Sequence, residues 1–593
     1  MQLSDRTTSR NTKRRRWATG STVGACAAAL LIATLPTGGA QGAPGSRPAG
    51  LRADAVYING TIITMGESTK TAQAVAVRDG KIVGVGSTRD IVGLAGNGTK
   101  TVNLRGNTML PGFIDAHSHF ASVGTAKLFQ ADLQSPPVGP VEDIDDLVAA
   151  LKLKVDSTPS GEWVRGRGYD QTLLAEQRHP TTQDLDRASV DHPIWAGHAN
   201  GHMGVANSAA LELAGIDKDT PNPPGGVIVK DPATGEPTGL LEETAQSLVT
   251  SLIPPYTAEQ KAEAAKAGVA LYTAAGVTTS VIAGGNASSF RDLQEWRSDG
   301  LLPIRFTQMH SGNLPTFAQQ GGMLPGFGNE WIKIGPYGES VYDGSIQGYT
   351  GYLQEPYHKL PPELPADYRG YPTYSKAELF KRVRELYEQG HHIAIHANGD
   401  QAIEDLLDAY EAAQDEFGKR DVRWRIEHAQ MTTADQLVRM KDLGVSPSFF
   451  VSHTYYWGDV HRDIFMGPER AARISPLASA TKLGIRYSVH LDSPVVPMSP
   501  LQAVWSATTR LTRSGKVLGP DERVSARQAL KAVTIDAAWQ NFEEDIKGSI
   551  EVGKLADFVV VKDNPLTVEP VAIKDIEVLE TIVDGEPVYT KAG

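Results

Sequence analysis

The sequence is poor in the features that mark several protein classes. It holds one cysteine, Cys26, in 593 residues, so a disulfide scaffold and a thiolate metal site are both excluded. Its net charge is −12, which leaves no basic footprint for nucleic acid. No glycine-rich dinucleotide fingerprint follows the first strand-like run of the body, which counts against a Rossmann fold. Hydrophobic residues at 40% and charged residues at 21% exclude wholesale disorder. A large soluble enzyme or binding protein remains.

Residues 1–40 read as an export signal. Arg6, Arg10, Lys13, Arg14, Arg15 and Arg16 face one acid, Asp5. The apolar run Val23–Leu35 is, at about 13 residues, too short to span a bilayer comfortably. Gly38, Gly39 and Ala40 then offer a small-residue cleavage site. The cluster Arg14-Arg15-Arg16-Trp17 resembles a twin-arginine signal. Cleavage after Ala40 removes Cys26 and takes the net charge to −17. The expectation is a secreted, acidic protein with no stable membrane association after cleavage, whose metal sites use histidines and carboxylates.

Residues 41–52 read as a flexible leader. From Ala53 short β-branched runs alternate with the turn signals Asn59-Gly60 and Asp79-Gly80, the signature of hairpins. The other end repeats this style in Asp557–Lys562 and Thr581–Tyr589. Residues 53–109 and 536–593 are therefore expected to meet in one small β-domain, with residues 110–535 inserted between them. That middle alternates apolar strand-like runs with amphipathic helices. One helix opens at Ser375 with Glu378 and stops at Gly390; another opens at Thr433 with Gln436 and stops at Gly444. Strands and helices alternating in this way give a parallel sheet, closed or doubly wound, and the missing fingerprint favours a (β/α)8 barrel.

The chemistry lies at the ends of those strands. In Leu110-Pro-Gly-Phe-Ile-Asp-Ala-His117-Ser-His119 the two histidines are two residues apart and project from one face of a strand. The run reads as the first barrel strand, and C-terminal strand ends form the active-site face of such barrels. His396 and His428 each close an apolar run and lie about one β-α-β unit apart. Asp492, at the end of Gly484-Ile-Arg-Tyr-Ser-Val-His-Leu-Asp492, would face the same mouth. Four imidazoles and a carboxylate suit one or two divalent ions, with Zn2+ the commonest choice. His391 and His392 read as solvent-facing or packing residues, and Arg425 and Glu427 as a barrel ion pair. The aromatic group around His453 (Phe449, Phe450, Tyr455, Tyr456, Trp457) reads as packing or as pocket wall.

These motifs resemble the metal-dependent amidohydrolase superfamily, in the family 3 branch that includes N-substituted formamide deformylases. The matching segments are Pro111–His119, Asp343-Gly-Ser-Ile-Gln-Gly-Tyr-Thr350, His396-Ala-Asn-Gly-Asp400, Arg425-Ile-Glu-His428 and Leu491-Asp-Ser-Pro494. The resemblance implies an α/β fold: a distorted (β/α)8 TIM barrel with a small composite β-sandwich domain from both chain ends. It further implies hydrolysis of a small-molecule substrate by metal-activated water. One position departs from the pattern. Four residues before Asp-Gly-Ser the branch commonly has a lysine that bridges two metals when carboxylated; this chain has Glu339, itself a bridging carboxylate. A carboxylated Lys333 in a shifted register is the alternative.

The implied site is thus a metal centre of His117, His119, Glu339, His396, His428 and Asp492. Asp492 serves as catalytic base, and His202 or His453 donates a hydrogen bond to the substrate. The expected reaction is cleavage of a non-peptide C–N bond: amide, N-formyl, N-acyl or cyclic amide. Ester, lactone or deamination chemistry on the same centre is the first alternative, and a non-catalytic binding or regulatory protein the second.

Overall fold

The computed structural model describes residues 52–592 apart from 312–315, 317, 319, 322 and 363. The segment expected to be an export signal and nearly all of the expected leader lie outside the described residues. Among the described residues, no helix is long and apolar enough to cross a membrane.

Eight parallel strands form the centre. They are β1 (Phe113–Ser118), β2 (Val277–Ile282), β3 (Arg305–His310), β4 (Ile332–Val341), β5 (Ile393–Ala397), β6 (Arg425–His428), β7 (Ser446–Phe449) and β8 (Ser488–Val489). Each pairs in parallel with the next. β8 is only two residues long, and the ring closes through the chain beyond it. The His119 N–H donates to the Ser493 carbonyl at 2.8 Å, and the Asp492 N–H to the His117 carbonyl at 3.2 Å. The barrel is distorted at this seam, and the seam carries three of the expected site residues.

The helices follow their sequence signals. Lys376–Glu388 is capped by Ser375, whose side chain accepts from the Glu378 amide. Glu378 does not return the bond to complete a capping box; its carboxylate takes Arg382 at 2.8 Å. Ala434–Leu443 has the full box between Thr433 and Gln436 and ends on left-handed Gly444.

The chain ends build two further sheets. One orders Lys81–Gly86, Ala74–Arg78, Ala55–Ile58 and Lys100–Asn103; the other orders Glu586–Thr590, Val578–Val583, Phe558–Val561, Thr108–Pro111, Thr61–Ile63 and Thr71–Ala72. Asp79-Gly80 is a true hairpin turn between Arg78 and Lys81, with both turn residues at positive φ. Asn59-Gly60 is not. Ala55–Ile58 is already paired on both edges, so the chain after it crosses to the other sheet. Gly60 makes this crossing possible, because a Cβ there would stand 2.6 Å from the Asn107 carbonyl oxygen.

The apolar run expected as one barrel strand is likewise split. Thr108–Pro111 pairs with Phe558–Val561 from the far end of the chain, and the barrel strand starts at Phe113. Gly112 marks the break, where any side chain would strike Thr278.

Between β1 and β2 lies an inserted six-stranded sheet, ordered Gly226–Lys230, Pro237–Glu243, Met203–Ala206, Ile194–His198, Val164–Tyr169 and Ala131–Asp132. It has apolar clusters of its own, one around Leu133, Leu147 and Val205 and one around Trp195, Leu211 and Leu241. Arg167 and Glu243 of this sheet line the cavity at the barrel mouth.

Candidate metal centre

β1, β4, β5 and β6 end at one mouth, and the seam beyond β8 adds a fifth approach. His117 sits near the end of β1 and His119 just past it, at the start of the helix Phe120–Phe129. Glu339 lies near the end of β4, His396 in β5, and His428 closes β6. His428 and Asp492 both have left-handed backbones, with φ of 67° and 53°. This conformation costs non-glycine residues on the order of 1 kcal/mol or more and is typical of functional positions.

The side chains converge. His117 Nε2 lies 3.6 Å from Glu339 Oε2 and 3.5 Å from Asp492 Oδ1. His119 Nε2 is 3.2 Å from the same Asp492 oxygen, and His428 Nε2 is 3.3 Å from Glu339 Oε1. Three overlapping sets have ligand atoms within 4.8 Å of one another: His117 with His119 and Glu339, His117 with His428 and Asp492, and Glu339 with His396 and His428. Glu339 belongs to two sets, one through each side of the cluster.

The donors are held as ligands. His117 Nδ1 lies 2.7 Å from Glu427 Oε2, and a carboxylate there must receive the N–H, which leaves Nε2 as the nitrogen that can turn a lone pair to an ion. Glu427 is in turn fixed by Arg425, with Nε 2.8 Å from Oε1. His428 Nδ1 meets His490 Nε2 at 3.0 Å, and His490 Nδ1 meets Ser448 Oγ at 2.9 Å. Asp343 collects the amides of Tyr352, Asn398 and Gly399 at 2.8–2.9 Å and lies 3.3 Å from His396 Nδ1. The Asp-Gly-Ser motif therefore positions His396.

The electrostatics are those of a cation site. Burial opposes the charge on Glu339, but His117 and the neighbouring imidazoles hold its carboxyl well below the usual range. Asp492 behaves likewise, held down by His117 and His119. Burial opposes the charge on His117 too, yet Glu339, Asp492 and Glu427 raise it well above the ordinary histidine value. The donors fit a divalent ion: His117 Nε2 and Asp492 Oδ1 are buried, 3.5 Å apart, and complete no well-formed hydrogen bond among the described residues. An all-nitrogen-and-oxygen set suits zinc and its neighbours in the first transition row.

His202 shares the cavity of about 450 Å3 lined by His119, Glu339, His396, His428 and Asp492. Its ring centre is 4.9 Å from that of His396. Burial pulls its pKa down, but Glu243, 3.0 Å from Nδ1, more than compensates and holds it up at about 9. Beside it, Glu242 is pushed up to about 7 by burial and the Glu243 charge, against a hydrogen bond from Tyr371.

His453 does not reach the cavity. It is buried behind Phe450, packed against Trp457, with Nδ1 3.2 Å from His461 Nε2. Lys333 is also elsewhere. It pairs with the buried Glu543 at 2.5 Å, six residues before Glu339 on a strand that rises about 3.3 Å per residue, so it is no candidate for the bridge. His391 and His392 are buried, not solvent-facing. Sequence reasoning missed the reach of Glu427 to His117 and the place of His490. His490 had a signal, standing two residues before Asp492 in the same run.

A match to the amidohydrolase family covers residues 100–589. The chain belongs to that family. It is 31% identical over 558 residues to the N-substituted formamide deformylase of Arthrobacter pascens, covering 91% of this chain and 99% of that one. It is 32% identical over 562 residues to the LONG AFTER FAR-RED 3 protein of Arabidopsis thaliana, covering 91% and 92%. Among solved structures, an uncharacterized metal-dependent hydrolase from Pyrococcus horikoshii superposes with a TM-score of 0.68 at 26% identity, over 87% of this chain and 99% of that one. As a family member the protein is a metal-dependent hydrolase.

Proposed function

We propose that this protein is an exported hydrolase of non-peptide C–N bonds in small molecules: amides, N-formyl or N-acyl amines, or cyclic amides. The observation that carries the reading is the cluster at the barrel mouth, where four imidazoles and two anionic carboxylates meet with buried ligand atoms left unbonded. His117, His119, Glu339 and Asp492 would hold one zinc ion, and Glu339, His396 and His428 a second. A divalent ion held there supplies Lewis acidity and makes water a nucleophile near neutral pH.

The chain's own groups do the rest. Asp492, anionic and at the cavity wall, takes the proton from the attacking water and returns it to the leaving nitrogen. His202, cationic at neutral pH, donates to the carbonyl oxygen as negative charge builds there. Glu427 and the His490–Ser448 pair keep the imidazoles of His117 and His428 in the tautomer that points a lone pair inward. The deformylase relative favours the amide and N-formyl end of this range.

The test is metal analysis of purified protein with a panel of formamides, amides and lactones, repeated on Asp492→Asn. The expected result is zinc in the wild type, hydrolysis of a C–N substrate, and a loss of roughly 10²- to 10⁴-fold in kcat in the variant with at least one metal retained. Wild-type turnover by the variant, or a zinc-loaded wild type that cleaves only lactones, refutes the proposal.

A further inference from the structure

Arg167 is the residue at the mouth that the mechanism leaves unused. It lies on Val164–Tyr169 of the inserted sheet. Its side chain is mostly buried, and Nε has neither accessible surface nor a hydrogen-bond partner. Its register neighbour on the next strand, Asp132, makes no ion pair with it and accepts from the Gln134 amide at 3.0 Å. The acid whose charge reaches Arg167 is Asp492, which belongs to the metal cluster. Other buried arginines of the barrel region have partners among the described residues: Arg305 pairs with Asp557, Arg425 with Glu427, and Arg510 donates to three carbonyl groups.

The position matters as much as the missing partner. Arg167 lines the metal cavity together with Asp492 and His119. The same side chain borders a cavity of about 410 Å3 lined by Arg165 and Lys261, with no acidic residue in its wall. Lys261 is neutralised by Asp292 at 3.2 Å, and Arg165 spreads over the Tyr256 ring. Arg167 therefore presents a free guanidinium between the reacting centre and a neighbouring chamber. A guanidinium keeps its proton even when buried, and leaving one desolvated is costly unless an anion completes it.

We infer that the substrate is anionic: it carries a carboxylate, which Arg167 grips while the scissile C–N group lies over the metal cluster, as in an N-acyl or N-formyl amino acid. This rests on the hydrolase reading above and adds the substrate class to it. The planar fork of the guanidinium matches a carboxylate in two parallel hydrogen bonds, geometry that a lysine lacks. A role in steadying the carbonyl oxygen would act alike on charged and neutral substrates, so the two are separable.

The experiment compares N-acetylphenylalanine with N-acetylphenylalanine amide, which differ only in that charge. Titration calorimetry on zinc-loaded Asp492→Asn protein reads binding without turnover. We expect the acid to bind on the order of ten- to a hundredfold more tightly than the amide. That preference should vanish when Arg167→Gln is added and fall to an intermediate value with Arg167→Lys. Because Arg167 has no ion-pair or side-chain hydrogen-bond partner among the described residues, Arg167→Gln should not lower Tm; a large fall would mark a structural residue and overturn the inference. Equal binding of acid and amide overturns it, as does a preference that survives Arg167→Gln. Kinetics with Asp492 intact separate the two readings. Hydrolysis of both compounds with equal kcat/KM sinks the anion site alone. A lost preference in Arg167→Gln without hydrolysis of any C–N substrate supports the anion site and sinks the hydrolase.

Discussion

Replacing Glu427 by glutamine tests the whole arrangement behind the metal site. Glu427 is wholly buried, yet it stays anionic because Arg425 and His117 outweigh the cost of burial. It binds Arg425 through both oxygens, at 2.8 and 2.9 Å, and His117 at 2.7 Å. Glutamine keeps the shape and removes the charge. Arg425, also fully buried, is then left uncompensated, and breaking one side of such a pair costs about 3–5 kcal/mol. His117 loses the acceptor that fixes its tautomer, and outer partners of this kind are worth about 10- to 100-fold in metal affinity.

Chemical denaturation and competition with a chelator for zinc read the two effects separately. The double variant Arg425→Met with Glu427→Met distinguishes them further: with neither charge buried, stability should largely return while zinc affinity stays low. If Glu427→Gln unfolds at the wild-type denaturant concentration and holds zinc as tightly, the orienting role of Glu427 is wrong.

Two more outcomes follow from neighbouring carboxylates. Because Glu339 is already a carboxylate, zinc uptake should be indifferent to bicarbonate, whereas Glu339→Lys should bind zinc only when bicarbonate is supplied; equilibrium dialysis with and without it decides, and bicarbonate dependence in the wild type refutes the assignment. Glu242 titrates at about 7 in the folded protein against 4.5 for the free side chain. A raised carboxyl pKa means that the unfolded chain gives up its proton first, so stability falls between pH 4.5 and 7 and then levels off. Glu242→Gln should remove that loss, by at most about 3 kcal/mol, and parallel Tm curves for the two proteins across this range would refute it.

What could be read from the sequence was local. His117 follows from its place near a strand end and His119 from its spacing to it, although His119 stands just past β1 as a helix cap; His396, His428 and Asp492 follow from their places at the ends of apolar runs, and the helix over Ala434–Leu443 from its box and its glycine. What could not be read depended on contacts made at long range. Glu427 reaches a histidine 310 positions earlier, so beside Arg425 it looked like half of an ordinary ion pair. Asn59-Gly60 looked like a hairpin because the strands that occupy both edges of Ala55–Ile58 come later in the chain. Arg167 gave no signal, since an unpaired arginine is visible only once the acids around it are in place. His453 misled through its aromatic neighbours, which wall it off from the cavity.

The sheet shared by both chain ends bears on how the protein is made. Thr61–Ile63 and Thr108–Pro111 leave the ribosome early, but Phe558–Val561, their link to the rest of that sheet, is among the last segments translated. Tyr57 finds the Gly585 carbonyl across 528 positions. Until synthesis ends, the early strands offer a bare edge to any neighbouring polypeptide, and a message cut short near its 3′ end yields not a trimmed enzyme but an unbuttoned one.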